Sequence, residues 1–190
     1  MEDYRNRINQ YIEMEKQVLD SLNRDEINEV MNVLENARLK GKRIFICGNG
    51  GSASTASHLE CDFNKGISYD QAVKYDIECL SDNVPMMMAI ANDIGYEDIF
   101  VVPLKNKLKL GDVVIGISGS GNSTNVLKAF DYANSIGADT VAFTGYSGGK
   151  LKEISKYNIH VNIDNMQIVE DVHLVLNHMM MFILSGMKGC

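Results

Sequence analysis

One order of residues recurs in this chain: a short apolar run, a cluster of glycine, serine and asparagine, then a helical pattern. Arg43-Ile44-Phe45-Ile46-Cys47 runs into Gly48-Asn49-Gly50-Gly51-Ser52 and a helix to about Asn64. Asp112-Val113-Val114-Ile115-Gly116-Ile117 runs into Ser118-Gly119-Ser120-Gly121-Asn122-Ser123 and a helix over 124–135. Thr140-Val141-Ala142-Phe143-Thr144 ends in Gly145-Tyr146-Ser147-Gly148-Gly149. Apolar runs of this length are strands buried on both faces. Strand–loop–helix units in series make parallel strands with helices on both faces. The expected fold is therefore α/β, a three-layer sandwich around a parallel sheet. Ligands of such sheets bind beyond the carboxyl ends of the strands, where the glycines and serines stand.

The flanking pattern fits that frame. Tyr4, Ile8, Ile12, Val18 and Leu22 predict a helix over 3–22, and a second follows over 25–39. Together they suggest an antiparallel pair whose apolar stripe needs cover, as a partner subunit provides. A weaker strand is predicted at 76–80, helices at 84–92 and 96–108, an edge strand at 159–163 and a closing helix over 165–187. The 190 residues with two prolines and no low-complexity run suit one domain spanning 1–190. A net charge of -7 argues against nucleic acid as a partner. No apolar run is long enough to cross a membrane. The polar start Met1-Glu2-Asp3 does not read as a signal peptide, so a cytoplasmic location is expected. Cys47, Cys61, Cys79 and Cys190 lack paired spacing and read as reduced, mostly buried thiols.

The loops carry the chemistry. Glycine lets backbone approach a ligand, a helix N-terminus offers unpaired N–H groups and partial positive charge, and serine adds hydroxyl donors. Together these make an anion site, best developed at 118–123, with three hydroxyls in six residues. The same residue types also make plain capped turns; two such loops on neighbouring strands favour a ligand. Neither loop ends in the Lys-Ser/Thr of a nucleotide-triphosphate loop, and 48–52 lacks the third glycine of a dinucleotide fingerprint.

Cys47-Gly48-Asn49-Gly50-Gly51-Ser52 followed by His58, then Gly116 to Ser123, then Thr144-Gly145 with Gly148-Gly149-Lys150, resembles the sugar isomerase (SIS) domain. Within that family the resemblance is to the bacterial phosphoheptose isomerases. It extends over nearly the whole chain, through Ala91-Asn92-Asp93 and Asp98-Ile99-Phe100 to the last helix. It implies a flavodoxin-like topology, a homotetramer with active sites between subunits, and aldose–ketose isomerisation of sedoheptulose 7-phosphate through an enediol. It implies that Ser118, Ser120 and Ser123 hold the phosphate, with Gly119 where threonine is usual. Asn49, Gly50, Gly51, Ser52, Asn92, Asp93 and Glu170 would contact the sugar. Asp62 and His178 would be the acid–base pair, and His58, Asp62, Glu170 and His178 would bind zinc. Here Asp62 replaces the usual glutamate, Glu170 a glutamine, Gly66 beside Lys65 a basic residue, and Gln167 an acidic one.

Spacing alone supports part of that ligand set. His58 and Asp62 at i,i+4 share a helix face. Glu170 and His178 are eight residues apart, about 12 Å of helix rise; local spacing pairs Glu170 with His173 instead. Otherwise His173 reads as a packed or interface residue and His160 as structural. Met86-Met87-Met88 and Met179-Met180-Met181 read as core filler. Two further functions remain open at this point: isomerisation of a different sugar phosphate, and a non-catalytic regulator that binds a replication initiator. Retention of His58, Asp62 and His178 argues against the latter.

Overall fold

A computed structural model describes residues 2–186; Cys190 and the end of the predicted last helix at Met187 lie outside them. Five parallel strands form the central sheet: β1 (Ile44–Gly48), β2 (Ile77–Cys79), β3 (Val113–Ser118), β4 (Asp139–Thr144) and β5 (Tyr157–His160), in the order β2-β1-β3-β4-β5. Register is continuous across the middle, with Ile46 opposite Ile115 and Ile115 opposite Val141. The chain winds outward from β1 to β2, then crosses back to β3. This is the flavodoxin-like order, and its ligand crevice lies where the winding reverses, between the carboxyl ends of β1 and β3. The two loops singled out above stand at that point.

Alternate strand residues feed opposite cores, as the twofold period of a strand requires. Ile44, Ile46, Val113, Ile115, Val141 and Phe143 face one layer, with Leu59, Val172 and Leu176. Phe45, Cys47, Val114 and Ala142 face the other, with Phe100, Leu104, Val126 and Phe130. The first layer holds α1 (Arg5–Ser21), α2 (Arg24–Leu39), α3 (Gly51–Cys61) and α8 (Met166–Leu184). The second holds α4 (Val84–Asp93), α5 (Val101–Lys107), α6 (Thr124–Ser135) and α7 (Gly149–Ile154). Helix starts follow local chemistry. Asn23 accepts from the backbone N–H groups of Asp25 (3.0 Å) and Glu26 (3.3 Å), and Asn165 from that of Ile168 (3.1 Å). Asp25 and Glu26 then complement the positive end of α2.

Four expectations need correction. The predicted helix over 96–108 is a 3-10 turn at Tyr96–Asp98 followed by α5. Pro103 falls in the first turn of α5, where its missing N–H leaves no helical bond unmade. The edge strand pairs at Tyr157–His160, two residues before its predicted start, because its ladder with β4 closes on Thr144. Beyond it, Val161 still donates to the Thr144 carbonyl (2.8 Å) before the chain turns away. The first two helices do not form a self-contained pair: α1 packs on α8 and α2 along β5. Finally, Cys61 and Met88 are exposed, whereas Cys47, Cys79 and Met180 are buried as expected. Tyr4, which precedes α1, and Ile8 and Ile12 on it remain exposed, one helical turn apart.

His173 of α8 is buried against Phe143, with ring centroids 5.9 Å apart. Its Nε2 faces the Thr144 carbonyl at 3.4 Å and its Nδ1 has no partner. Burial pushes its pKa down to about 4 from 6.5. The folded pKa lies below the unfolded one, so this imidazole's contribution to stability is complete above pH 6.5. It is lost as pH falls toward 4, by on the order of 3 kcal/mol at about 1.36 kcal/mol per unit. A His173→Leu variant should therefore lose less stability than the wild type between pH 7.5 and 4.5 in calorimetric unfolding. Parallel losses in the two proteins would contradict this assignment.

Candidate active site

At the end of β3 the chain turns through Ser118–Ser123 into α6. Ser123 occupies the position before the first helical residue, yet its side chain makes no capping bond. Its Oγ instead lies 3.0 Å from Oγ of buried Ser118. A plain capped turn would satisfy the helix end with that hydroxyl; here Asn125 Oδ1 accepts from the Val126 N–H (2.9 Å), and the N–H groups of Thr124 and Asn125 are left to a ligand. Ser120 is exposed, and its Oγ accepts from the Asn122 N–H at 3.2 Å. The loop is anchored from behind by its neighbour after β4. Gly145 N–H donates to the Gly119 carbonyl (2.8 Å), Leu151 N–H to the Gly121 carbonyl (2.9 Å), and Lys150 N–H to Asn122 Oδ1 (3.1 Å). Gly121 makes this possible: its φ is +66°, and a Cβ there would stand 1.9 Å from the Gly148 carbonyl oxygen.

The loop after β1 is tied to the same helix. Asn49 and Asn125 exchange two amide hydrogen bonds of 2.9 Å, and the Tyr96 hydroxyl donates to Asn49 Oδ1 (2.9 Å). Asn49, Tyr96, Asn122, Ser123, Thr124 and Lys128 line a cleft of about 510 Å³. The Lys128 ammonium is held to Asp98 at 3.0 Å and Glu97 at 3.7 Å. Gly50 has a φ of +56° before α3, Gly51 opens the helix, and Ser52 is buried in its first turn. Unlike that of α6, the α3 N-terminus already faces an anion. Both Glu170 carboxylate oxygens lie where a Cβ of Gly51 would meet them at 2.3 and 2.5 Å. An added phosphate at α3 would meet this carboxylate; one at α6 would not. Asn92 and Asp93 end α4 in the open, bonded to one another at 2.8 Å.

Further along α3 the second group assembles. Helices α3 and α8 run side by side in the same direction. Gly51 meets Glu170, Asp62 meets Asn177, and Gly66 meets Met181. His58 Nε2 lies 3.4 Å from Asp62 Oδ2 and 3.4 Å from His178 Nε2, and His178 Nε2 lies 3.8 Å from Asp62 Oδ2. The two rings meet edge to face with centroids 4.9 Å apart. His58 and His178 are exposed; Asp62 is half-buried. At Asp62 the helix widens into a π-turn over Asp62–Ile67, a geometry often found at functional sites.

Of the four ligands that the resemblance implies, three converge. His58, Asp62 and His178 offer one donor atom each within 4.8 Å of one another. Two imidazoles and a carboxylate suit zinc in both donor type and number. Glu170 is not in this group. Its place beside Gly51 is seven residues up α3 from His58, about 10 Å of helix rise. His173, the alternative partner from spacing, is buried toward Phe143 and is not part of the group either. The serine loop and the histidine group open to different cavities. The one beside the histidines has about 580 Å³ and is lined by Ala53, Ser54, Ser57, His58, Cys61 and Asp82. Three residues escaped the sequence reading: Asn125, Tyr96 and Asn177. Only Asn177 left a signal, as an amide inside the apolar run Leu174–Met181.

The model of the SIS domain matches residues 4–145. A probable phosphoheptose isomerase from Thermoplasma acidophilum is 34% identical over 169 residues, covering 89% of this chain and 92% of that protein. A phosphoheptose isomerase from Helicobacter pylori is 36% identical over 162 residues, covering 85% of this chain and 83% of that protein. Among solved structures, a phosphoheptose isomerase from Neisseria gonorrhoeae superposes with a TM-score of 0.88 at 23% identity, over 96% of this chain and 98% of that one. That likeness establishes the fold; the sequence matches establish kinship. The chain belongs to the SIS-domain family and, within it, to the phosphoheptose isomerases.

Proposed function

We propose that the chain is an aldose–ketose isomerase that converts sedoheptulose 7-phosphate to an aldoheptose 7-phosphate through an enediol. Besides kinship with phosphoheptose isomerases, one observation carries the reading. A carboxylate and an imidazole, Asp62 and His178, meet on adjacent helices of the layer that flanks the anion loop. Ser118, Ser120, Ser123 and the open N-terminus of α6 hold the phosphate. Asn49 to Ser52, Glu170, Asn92 and Asp93 line the path of the sugar. A heptose 7-phosphate suits a site whose two halves stand apart, because its carbonyl and its phosphate are at opposite ends of an open seven-carbon chain.

Isomerisation moves one proton between neighbouring carbons and one between their oxygens. Of Asp62 and His178, one takes the carbon-bound proton, exchanges it with solvent, and delivers a proton to the adjacent carbon. The other transfers the hydroxyl proton to the carbonyl oxygen, so that the enediol forms and collapses without net loss of a proton. His58, Asp62 and His178 would hold zinc, which when bound polarises the carbonyl. The apolar stripe Tyr4, Ile8 and Ile12 supports a homo-oligomer, a tetramer in this reading, with neighbouring subunits completing each site. No helix among the described residues is long and apolar enough to cross a membrane, in keeping with a cytoplasmic enzyme.

Incubation with sedoheptulose 7-phosphate in deuterated water should give an aldose product carrying deuterium at carbon 2. Conversion of some other ketose phosphate alone would redirect the substrate assignment. Absence of conversion and of exchange across a panel of ketose phosphates would overturn the reading.

A further inference from the structure

Asn177 precedes His178 on α8, and its amide is fully buried in an otherwise apolar stretch. Its Nδ2 donates to Asp62 Oδ2 at 2.8 Å, while its Oδ1 has no partner. A leucine of similar size would fill the same space without leaving a buried carbonyl oxygen unpaired, so packing does not account for the amide. What accounts for it is the carboxylate. Asp62 opens the π-turn, so its side chain leaves the backbone at a point where the helix is out of α register. Its Oδ2 also faces His58 and His178, at 3.4 and 3.8 Å. A short carboxylate turned about its last bond would lose both neighbours at once.

We propose that Asn177 is a positioning residue. Its amide fixes the orientation of the short Asp62 carboxylate, holding Oδ2 against the two imidazoles and leaving the other carboxylate edge for the substrate. An amide suits this role because it donates without adding a charge that would pair with the carboxylate. The inference rests on the isomerase reading for its kinetic consequence and on geometry alone for its effect on metal binding.

Two measurements on Asn177→Leu separate these dependences. In turnover, kcat should fall about 10–100-fold with KM for the sugar phosphate within about twofold, because the phosphate donors lie elsewhere. Zinc affinity, measured by titrating metal-free protein, should weaken about 10–100-fold, and the melting temperature of that protein should hold or rise. Adding Asp62→Glu should recover part of the lost kcat, since the longer side chain reaches the imidazoles without the amide. Asp62→Glu alone should lower kcat by crowding Asn177. Unchanged kcat and zinc affinity, or a lowered melting temperature with no recovery by Asp62→Glu, would overturn the proposal. If the wild-type protein turns over no ketose phosphate, the isomerase reading fails, and the zinc titration still decides the role of Asn177.

Discussion

Asp62→Asn and His178→Ala should each lower kcat by about 10²–10⁴, the usual contribution of one positioned acid or base. Both proteins should still fold and still bind the sugar phosphate. The expectation follows from where the groups stand. His178 is open to solvent, and Asn has the size of the largely buried Asp62 side chain, so neither substitution leaves a cavity in the core. The serine loop that would hold the phosphate is braced by the β4–α7 loop and not by either residue. The double variant should be far from multiplicative, because the two groups serve one relay and the second loss removes little that the first has left. His58→Ala makes a useful contrast: it should weaken zinc binding while sparing more of the proton transfer. Single variants of Asp62 and His178 that keep wild-type kcat would place the relay elsewhere, with Glu170 next to be tested.

The second large effect is structural. Gly121→Ala should destabilise the protein by about 3–5 kcal/mol and abolish phosphate binding. Three causes add. A non-glycine residue at a φ of +66° carries a penalty of roughly 1–2 kcal/mol. The new methyl group would lie 1.9 Å from the Gly148 carbonyl oxygen and 2.5 Å from its carbon, backbone atoms that no rotamer change can move. Relief of that overlap separates the two loops and endangers the Gly121–Leu151 and Gly119–Gly145 hydrogen bonds, each worth about 1 kcal/mol. Gly50→Ala is the control. Its φ is +56°, but nothing lies within 4 Å of the added Cβ, so it should cost only the conformational part. Denaturant titration reads both variants; a Gly121→Ala cost no larger than that of Gly50→Ala would mean that the two loops are not locked together.

The sheet and its loops were legible in the residues because their causes are local. Ile44–Cys47 and Val113–Ile117 alternate between two apolar cores, so each run reads as continuously apolar, the mark of a strand covered on both faces. Glycine and serine at the strand ends name the turn and its donors directly. Misreadings fell where the deciding contact is distant in sequence. The 96–108 segment has helical periodicity throughout, but its first turn is bound into the cleft by Tyr96 reaching Asn49. The edge strand begins earlier than its apolar centre because pairing to β4, not burial, sets its length.

By itself, then, the sequence determined a parallel α/β domain with a glycine- and serine-rich loop ahead of α6, and the resemblance it carries named His58, Asp62, Glu170 and His178 as the groups with chemistry to offer. Tertiary structure decided which of these lie together. The side-by-side, same-direction packing of α3 and α8 brings Asp62 to His178 and Asn177, and sets Glu170 two turns away over Gly51. Spacing within one helix specifies which residues share a face, but not the height at which another helix, more than a hundred residues later in the chain, is set against it. That height follows from the interlocking of both helix surfaces with the sheet beneath them, and no local pattern encodes it.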